Sequence, residues 1–272
     1  MKNLGDSISQ IPVVIFCGGR GIRLKEETEF IPKPLVKIGE QPILWHIMKI
    51  YHAQGCRKFV LLVGYKGEKI KEYFYRYPVY HSDFTVKINQ RGHEVLYHNQ
   101  PKENWEITII DTGVDAETGE RLKKAEWVLK DKLFMLTYGD GVSDINLKKL
   151  LEFHDGQKRV ATVTGVYPPA RFRFGEIKVE GNLAADFREK PEDRTGFING
   201  GFFAVNPEIF KMFPDDKFLI FEKDVLPELA KKSQLAVYPH HGYWQCMDTL
   251  RDMELLNEEW RRGNAGWKIW TS

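Results

Sequence analysis

The chain has 272 residues and a net charge of +2, from 40 Lys and Arg against 38 Asp and Glu. That balance points away from nucleic acid or an anionic membrane as partner and toward a small molecule. Cys17, Cys56 and Cys246 are odd in number and form no CxxC pair, which argues against a disulfide framework or a thiolate zinc site and suits a reducing cytoplasm. No apolar run reaches the roughly 18 residues of a membrane helix, and residues 1–10 lack the basic flank and apolar stretch of a signal peptide.

The apolar, β-branched run 11–17 is too short for a helix and is predicted to be a fully buried strand, ending where Gly18, Gly19 and Gly21 open a loop. Helical spacing then runs from Pro42 to Gly55, with proline at its start and glycine at its end, and 58–63 is a second buried strand. The alternation continues with a helix near 67–77, a strand near 133–138, a helix near 146–154 and a strand near 160–166. Residues 83–110 read as alternating strands with turns at Gly92 and Pro101, and 177–187 as a hairpin around Gly181. A further strand covers 202–205, entered through Asn199-Gly-Gly201, and a helix covers 250–260. These elements predict an α/β fold with a mixed, mainly parallel sheet flanked by helices and small antiparallel excursions. No linker or repeat divides the chain, so one domain is expected over 1–272, with 1–10 a flexible N-terminal extension. Two tryptophans in the tail 263–272 are expected to pack on the body or on another subunit.

Glycines after a strand let backbone N–H groups approach a polyphosphate, so Gly18, Gly19 and Gly21 form a candidate triphosphate cradle. A dinucleotide fingerprint fits less well, because its third glycine is absent and Arg23 lies inside the loop. A tight turn without ligand remains open for the glycines alone. Lys33, between Pro32 and Pro34, is a second candidate anion contact on a stiff extended segment, or a solvated loop lysine. Asp140, in Tyr138-Gly-Asp-Gly141, stands at the carboxyl edge of the sheet, where a carboxylate can hold Mg²⁺ or simply shape a turn. Asp248 is the chosen partner carboxylate, although it is also placed to cap the helix 250–260. Glu189 and Lys190 would suit a sugar hydroxyl and its phosphate, or make a charged turn. The amide of Asn199 could bond a sugar, or merely begin a strand.

Together these segments, with Thr118-Gly-Glu-Arg-Leu122, Asp111-Thr-Gly113, the 244–249 segment and the tail 267–270, resemble the sugar-nucleotidyltransferase family over nearly the whole chain. The resemblance implies a Rossmann-like nucleotide-diphosphosugar transferase fold and a homo-oligomer. It also implies the reaction of CTP with α-D-glucose 1-phosphate to CDP-glucose and pyrophosphate, in the supply of dideoxyhexoses for surface polysaccharide. It places the nucleotide against Phe16, Cys17, Gly18, Gly19, Arg20, Gly21, Ile22, Arg23 and Lys33, with Arg121 and Gly139. Mg²⁺ falls to Asp140 and Asp248, and the sugar phosphate to Glu189, Lys190 and Asn199. Arg23, Lys33 and Lys190 would supply the catalytic charge, since a sugar phosphate oxygen is already anionic and needs no strong base. Cys17 and Ile22 stand where the family has alanine and threonine, so a hydroxyl is missing at Ile22. A uridylyl- or thymidylyltransferase is the nearest alternative; an NAD-dependent oxidoreductase or a non-catalytic sugar-nucleotide sensor are the others.

Overall fold

The computed structural model describes residues 8–21, 24, 28–90, 92–99, 101–167, 176–188, 196–214 and 218–271. Its first strand, β1 (Val13–Cys17), is buried throughout. Val13, Ile15 and Cys17 face one core and Val14 and Phe16 the other. A strand covered on both faces needs apolar residues at every position, which explains the unbroken run.

The short ribbon β2 (Lys37–Ile38) and β3 (Gln41–Pro42) leads into α1 (Ile43–Ala53), β4 (Lys58–Val63), α2 (Gly67–Tyr75) and α3 (Tyr77–His81). The hairpin β5 (Phe84–Asn89) and β6 (Gly92–Tyr97) precedes β7 (Glu106–Asp111), α4 (Thr118–Lys124), α5 (Glu126–Leu129), β8 (Phe134–Tyr138) and β9 (Gly141–Ser143). Then come α6 (Leu147–Gln157), β10 (Ala161–Val166), β11 (Glu176–Glu180), β12 (Leu183–Arg188) and β13 (Phe197–Val205). The chain ends with α7 (Leu226–Lys231), β14 (Leu235–His240), β15 (Trp244–Cys246) and α8 (Leu250–Arg261).

Among the described residues the central sheet has the order β10-β14-β12-β11-β13-β8-β1-β4-β7. β8, β1, β4 and β7 run parallel, with Val14 opposite both Val60 and Leu136. One face carries buried residues of α1, α6 and α8, and the other those of α4, α5 and α7. The antiparallel part is larger than the sequence suggested, because the 177–187 hairpin joins the main sheet, β11 pairing with β13 and β12 with β14.

Two expectations are corrected, and a third, open between two outcomes, is decided. Residues 106–111 are not part of an excursion but the parallel edge of the sheet. The edge position half-exposes Ile107, Ile109 and Ile110, and partial exposure produces the alternation that imitates a hairpin strand. Ile8, assigned to a free extension, is buried against Gly55, where an added Cβ would come within 2.8 Å of its methyl group. The tail packs on its own chain: Trp267 is fully buried and stacks on Trp260 at a 6.2 Å centroid distance, and Trp270 meets Trp45 edge-on at 5.8 Å.

Candidate active site

β1, β4, β7 and β8 all end on the same side of the sheet, where open parallel sheets bind ligands. β1 runs directly into Gly18 and Gly19. Gly21 has φ +62°, and a Cβ there would meet Thr28 at 2.9 Å and Lys33 at 3.1 Å, so this corner requires glycine. Arg20 pairs with Asp115 at 2.8 Å, but both side chains are largely exposed and the pair adds little. Ile22 and Arg23 lie outside the described residues.

The guanidinium of Arg121 is buried beneath this loop. It donates to the carbonyls of Gly18 (3.1 Å), Val63 (3.3 Å), Gly113 (2.8 Å) and Val114 (3.4 Å) and to the Thr112 hydroxyl. It therefore ties together the ends of β1, β4 and β7, adding a donor to the Gly18 and Val63 carbonyls beside the N–H groups of Tyr65 and Thr112. A Cβ on Gly18 or Gly64 would fall 2.2 or 2.3 Å from the guanidinium, so both glycines make room for it. Sequence reasoning missed this clamp; the signal was a long buried cation opposite two glycines far away in the chain.

Lys33 is not extended as expected. It begins a 3-10 turn, Lys33–Leu35, in which Pro34 is tolerated because an N-terminal turn position needs no N–H partner. Its Nζ lies 2.6 Å from Asp140 Oδ2 and 2.6 Å from Asp248 Oδ1, with 13% of the lysine side chain exposed. Burial alone would lower the lysine pKa. Asp140 and then Asp248 outweigh it and hold the ammonium well above its ordinary range.

Two local devices aim these carboxylates. β9 pairs with β15, setting Gly141 opposite Cys246, and Met247 N donates to Asp140 O at 2.8 Å, so the residues flanking this ribbon converge. The helix cap is Thr249, not Asp248: Thr249 and Asp252 form a capping box, which leaves the Asp248 carboxylate free of that role. Cys17 and Cys246 stand nearby as neutral thiols, since burial first and Asp140 second push both pKa values up. Hard oxygen donors with no thiolate suit Mg²⁺, and the ammonium shows that the pocket accepts positive charge. Among the described residues no third His, Cys, Asp or Glu joins them. That donor set matches an ion that keeps waters and phosphates for its other ligands.

On the opposite side of β8, Asn199 is not at a strand entry but inside β13. Its Nδ2 donates to Tyr138 Oη at 3.2 Å and its Oδ1 accepts from Gly201 N at 2.8 Å. Gly201 has φ +78°, and a Cβ would come within 2.7 Å of the Tyr138 ring. Gly139 approaches β1 closely: its N donates to Phe16 O at 3.0 Å, and a Cβ would lie 2.7 Å from the same oxygen. Glu189 and Lys190 lie outside the described residues. Tyr138 and Glu222, joined at 2.5 Å, were not singled out from sequence; only the neighbourhood of Asp140 hinted at the tyrosine.

Residues 12–260 match the nucleotidyl transferase family model. The chain is 46% identical to a probable glucose-1-phosphate cytidylyltransferase of Bacillus subtilis over 257 residues, 94% of this chain and 99% of that one. It is 43% identical to the glucose-1-phosphate cytidylyltransferase of Salmonella typhi over 258 residues, 94% and 98% of the two chains. The structure of HddC from Yersinia pseudotuberculosis complexed with GMP-PN superposes with a TM-score of 0.72 at 23% identity, covering 92% of this chain and 99% of that one, a likeness of fold. The glycine loop after β1 and the paired carboxylates at the sheet edge accompany this near full-length similarity: the chain belongs to the nucleotidyl transferase family.

Proposed function

We propose that the chain transfers the cytidylyl group of CTP to α-D-glucose 1-phosphate, giving CDP-glucose and pyrophosphate. The substrates are those in the names of its Bacillus and Salmonella relatives. The observation that carries the reading is the Asp140–Lys33–Asp248 cluster beside the Gly18–Gly21 loop.

A sugar phosphate oxygen bonds to the α-phosphorus while the bond to the β-phosphate oxygen breaks, and pyrophosphate leaves with that electron pair. The nucleophile is already anionic, so the chain must align two like-charged reactants and neutralise their charge. Backbone N–H groups of the 16–24 loop, with Arg20, Arg23 and Lys33, face the triphosphate, and Gly139 lets β8 come close to the loop. Arg121 holds the loop from below. Glu189, Lys190 and Asn199 take the glucose phosphate. Asp140 and Asp248 would hold Mg²⁺, which supplies positive charge against the phosphates when bound.

The product would serve dideoxyhexose synthesis for surface polysaccharide. A cytoplasmic setting is supported by three buried free cysteines, and no described helix is long and apolar enough to cross a membrane. A homo-oligomer is supported not by the tail, which packs on its own chain, but by β5 and β6, where Ile88 is 83% exposed. Light scattering tests it.

Pyrophosphate release over four nucleoside triphosphates and several sugar 1-phosphates, with and without Mg²⁺, tests the reaction. The expected maximum is CTP with glucose 1-phosphate, and none without the metal. Faster release with another triphosphate overturns the cytidylyl assignment, and no release with any pair overturns the enzyme.

A further inference from the structure

Glu222 is half-buried in the π-helical turn Phe221–Val225, outside both the phosphate loop and the aspartate pair. Its two carboxylate oxygens accept from hydroxyls on different elements. Tyr138 Oη donates to Oε1 at 2.5 Å, and Thr118 Oγ1 donates to Oε2 at 2.6 Å. Short O–H to carboxylate bonds are the strong class, and only an ionised carboxylate accepts well on both sides at once.

Each hydroxyl belongs to one half of the site. Tyr138 ends β8 two residues before Asp140, and its Oη accepts from Asn199 Nδ2 at 3.2 Å. Thr118 opens α4, which carries Arg121 one turn later, and its Oγ1 accepts from Phe221 N at 2.9 Å. The same stretch is locked again where Glu120 N donates to Leu219 O at 3.1 Å, and Gly119 lies so close to Leu219 that a Cβ would meet it at 2.6 Å.

The geometry points to Glu222 as a positioning residue that sets both half-sites together: Asn199 on the sugar-phosphate side through Tyr138, and Arg121 under the nucleotide loop through Thr118. This rests on the function proposed above. Glutamine in its place offers one acceptor oxygen and one NH₂, so one hydroxyl loses its acceptor at residue 222 and the two halves lose their common reference.

Steady-state kinetics of four variants test it. Tyr138→Phe should raise KM for glucose 1-phosphate and Thr118→Val that for CTP. Glu222→Gln should raise both, each by about tenfold with kcat within about threefold of wild type. Tyr138→Phe combined with Glu222→Gln should raise the sugar-phosphate KM no further than Glu222→Gln alone, because the pair acts as one unit. A Glu222→Gln protein that loses thermal stability with both KM values unchanged is missing only a staple, and overturns the inference. So does a rise in one KM alone. Should Glu222→Gln fail to fold, the single-hydroxyl variants decide: unaltered KM values in both overturn the inference, and the opposed pattern supports it. A wild-type protein that turns over no substrate pair overturns the functional reading and this inference with it, an outcome recognised without any variant.

Discussion

Lys33 Nζ and Asp248 Oδ1 meet at 2.6 Å across 215 residues of sequence, while the same nitrogen lies 2.6 Å from Asp140 Oδ2. The ammonium therefore occupies the place between two carboxylates that a divalent cation would take. On the proposed function, Mg²⁺ would compete with the ammonium for one pair of charges, and triphosphate oxygens would give the displaced ammonium an anionic partner.

Lys33→Met removes the competitor and leaves the carboxylates repelling each other. Mn²⁺ alone should then bind the nucleotide-free protein about tenfold more tightly than wild type, while turnover falls about a hundredfold or more. Isothermal titration gives the first quantity and pyrophosphate release the second. Equal Mn²⁺ affinity in the two proteins would refute the competition.

Asp140 was legible because a strand, a glycine and a carboxylate in that order put the acid at the sheet edge wherever the strand is buried. Its partnership with Lys33 was not, since nothing local in Pro32-Lys-Pro34 records what faces it in space. Asp248 shows a subtler limit. Asp248 and Thr249 are both good caps one residue apart, and the choice rests on Asp252, whose carboxylate bonds the Thr249 hydroxyl at 2.7 Å and its N–H at 2.8 Å. The buried strands at 13–17 and 58–63 declared themselves through unbroken apolar runs, whereas the edge strand at 106–111 imitated a hairpin. Arg121 carried a motif but not its role, because the pocket for its guanidinium is made by the absence of side chains at Gly18 and Gly64.

The clamp predicts a stability effect separate from catalysis. Arg121→Met takes a donor from the carbonyls of Gly18, Val63, Gly113 and Val114 and should cost about 2–4 kcal/mol in urea denaturation. Arg121→Lys should recover less than half of it, since a single ammonium cannot span three strand ends. Gly64→Ala should fail in the same direction, its Cβ falling 2.3 Å from the guanidinium and 2.6 Å from Gly113 O. Wild-type denaturation midpoints in Arg121→Met would remove the clamp from the account.

Thr249→Ala tests the geometry of Asp248 from behind. The loss of an N-cap hydroxyl should cost about 1 kcal/mol. Asp252 also accepts from Asp248 N at 3.1 Å, so loosening the cap loosens the carboxylate. The concentration of Mg²⁺ giving half-maximal activity should rise, by about tenfold on the scale of a lost supporting contact. A destabilised protein with an unaltered Mg²⁺ requirement would show that the cap serves the helix alone.

His46 predicts a pH dependence. It is fully buried, its Nε2 lies 2.9 Å from Ile38 O, and Trp267 Nε1 donates to its Nδ1 at 3.4 Å. With the proton on Nε2, the neutral ring satisfies both partners, and a second proton on Nδ1 would face an N–H donor. Burial, opposed only by the backbone bonds, pulls its pKa down from 6.5 to about 4. A folded-state value below the unfolded one means that the unfolded chain binds more protons between those limits. The stabilisation is therefore complete above pH 6.5 and is lost as the pH falls toward 4. The loss for His46 should be on the order of 3 kcal/mol at the acid end. His52 is also lowered to about 4, by burial and then by Arg57 and Lys49, so it steepens the same window. Urea denaturation at pH 7, 5.5 and 4.5, followed by tryptophan fluorescence, should show this slope in wild type. His46→Phe should be less stable at pH 7, where it loses both polar contacts, yet flatter with pH by about one proton. Parallel slopes in the two proteins would mean that the buried imidazole does not set the acid limit.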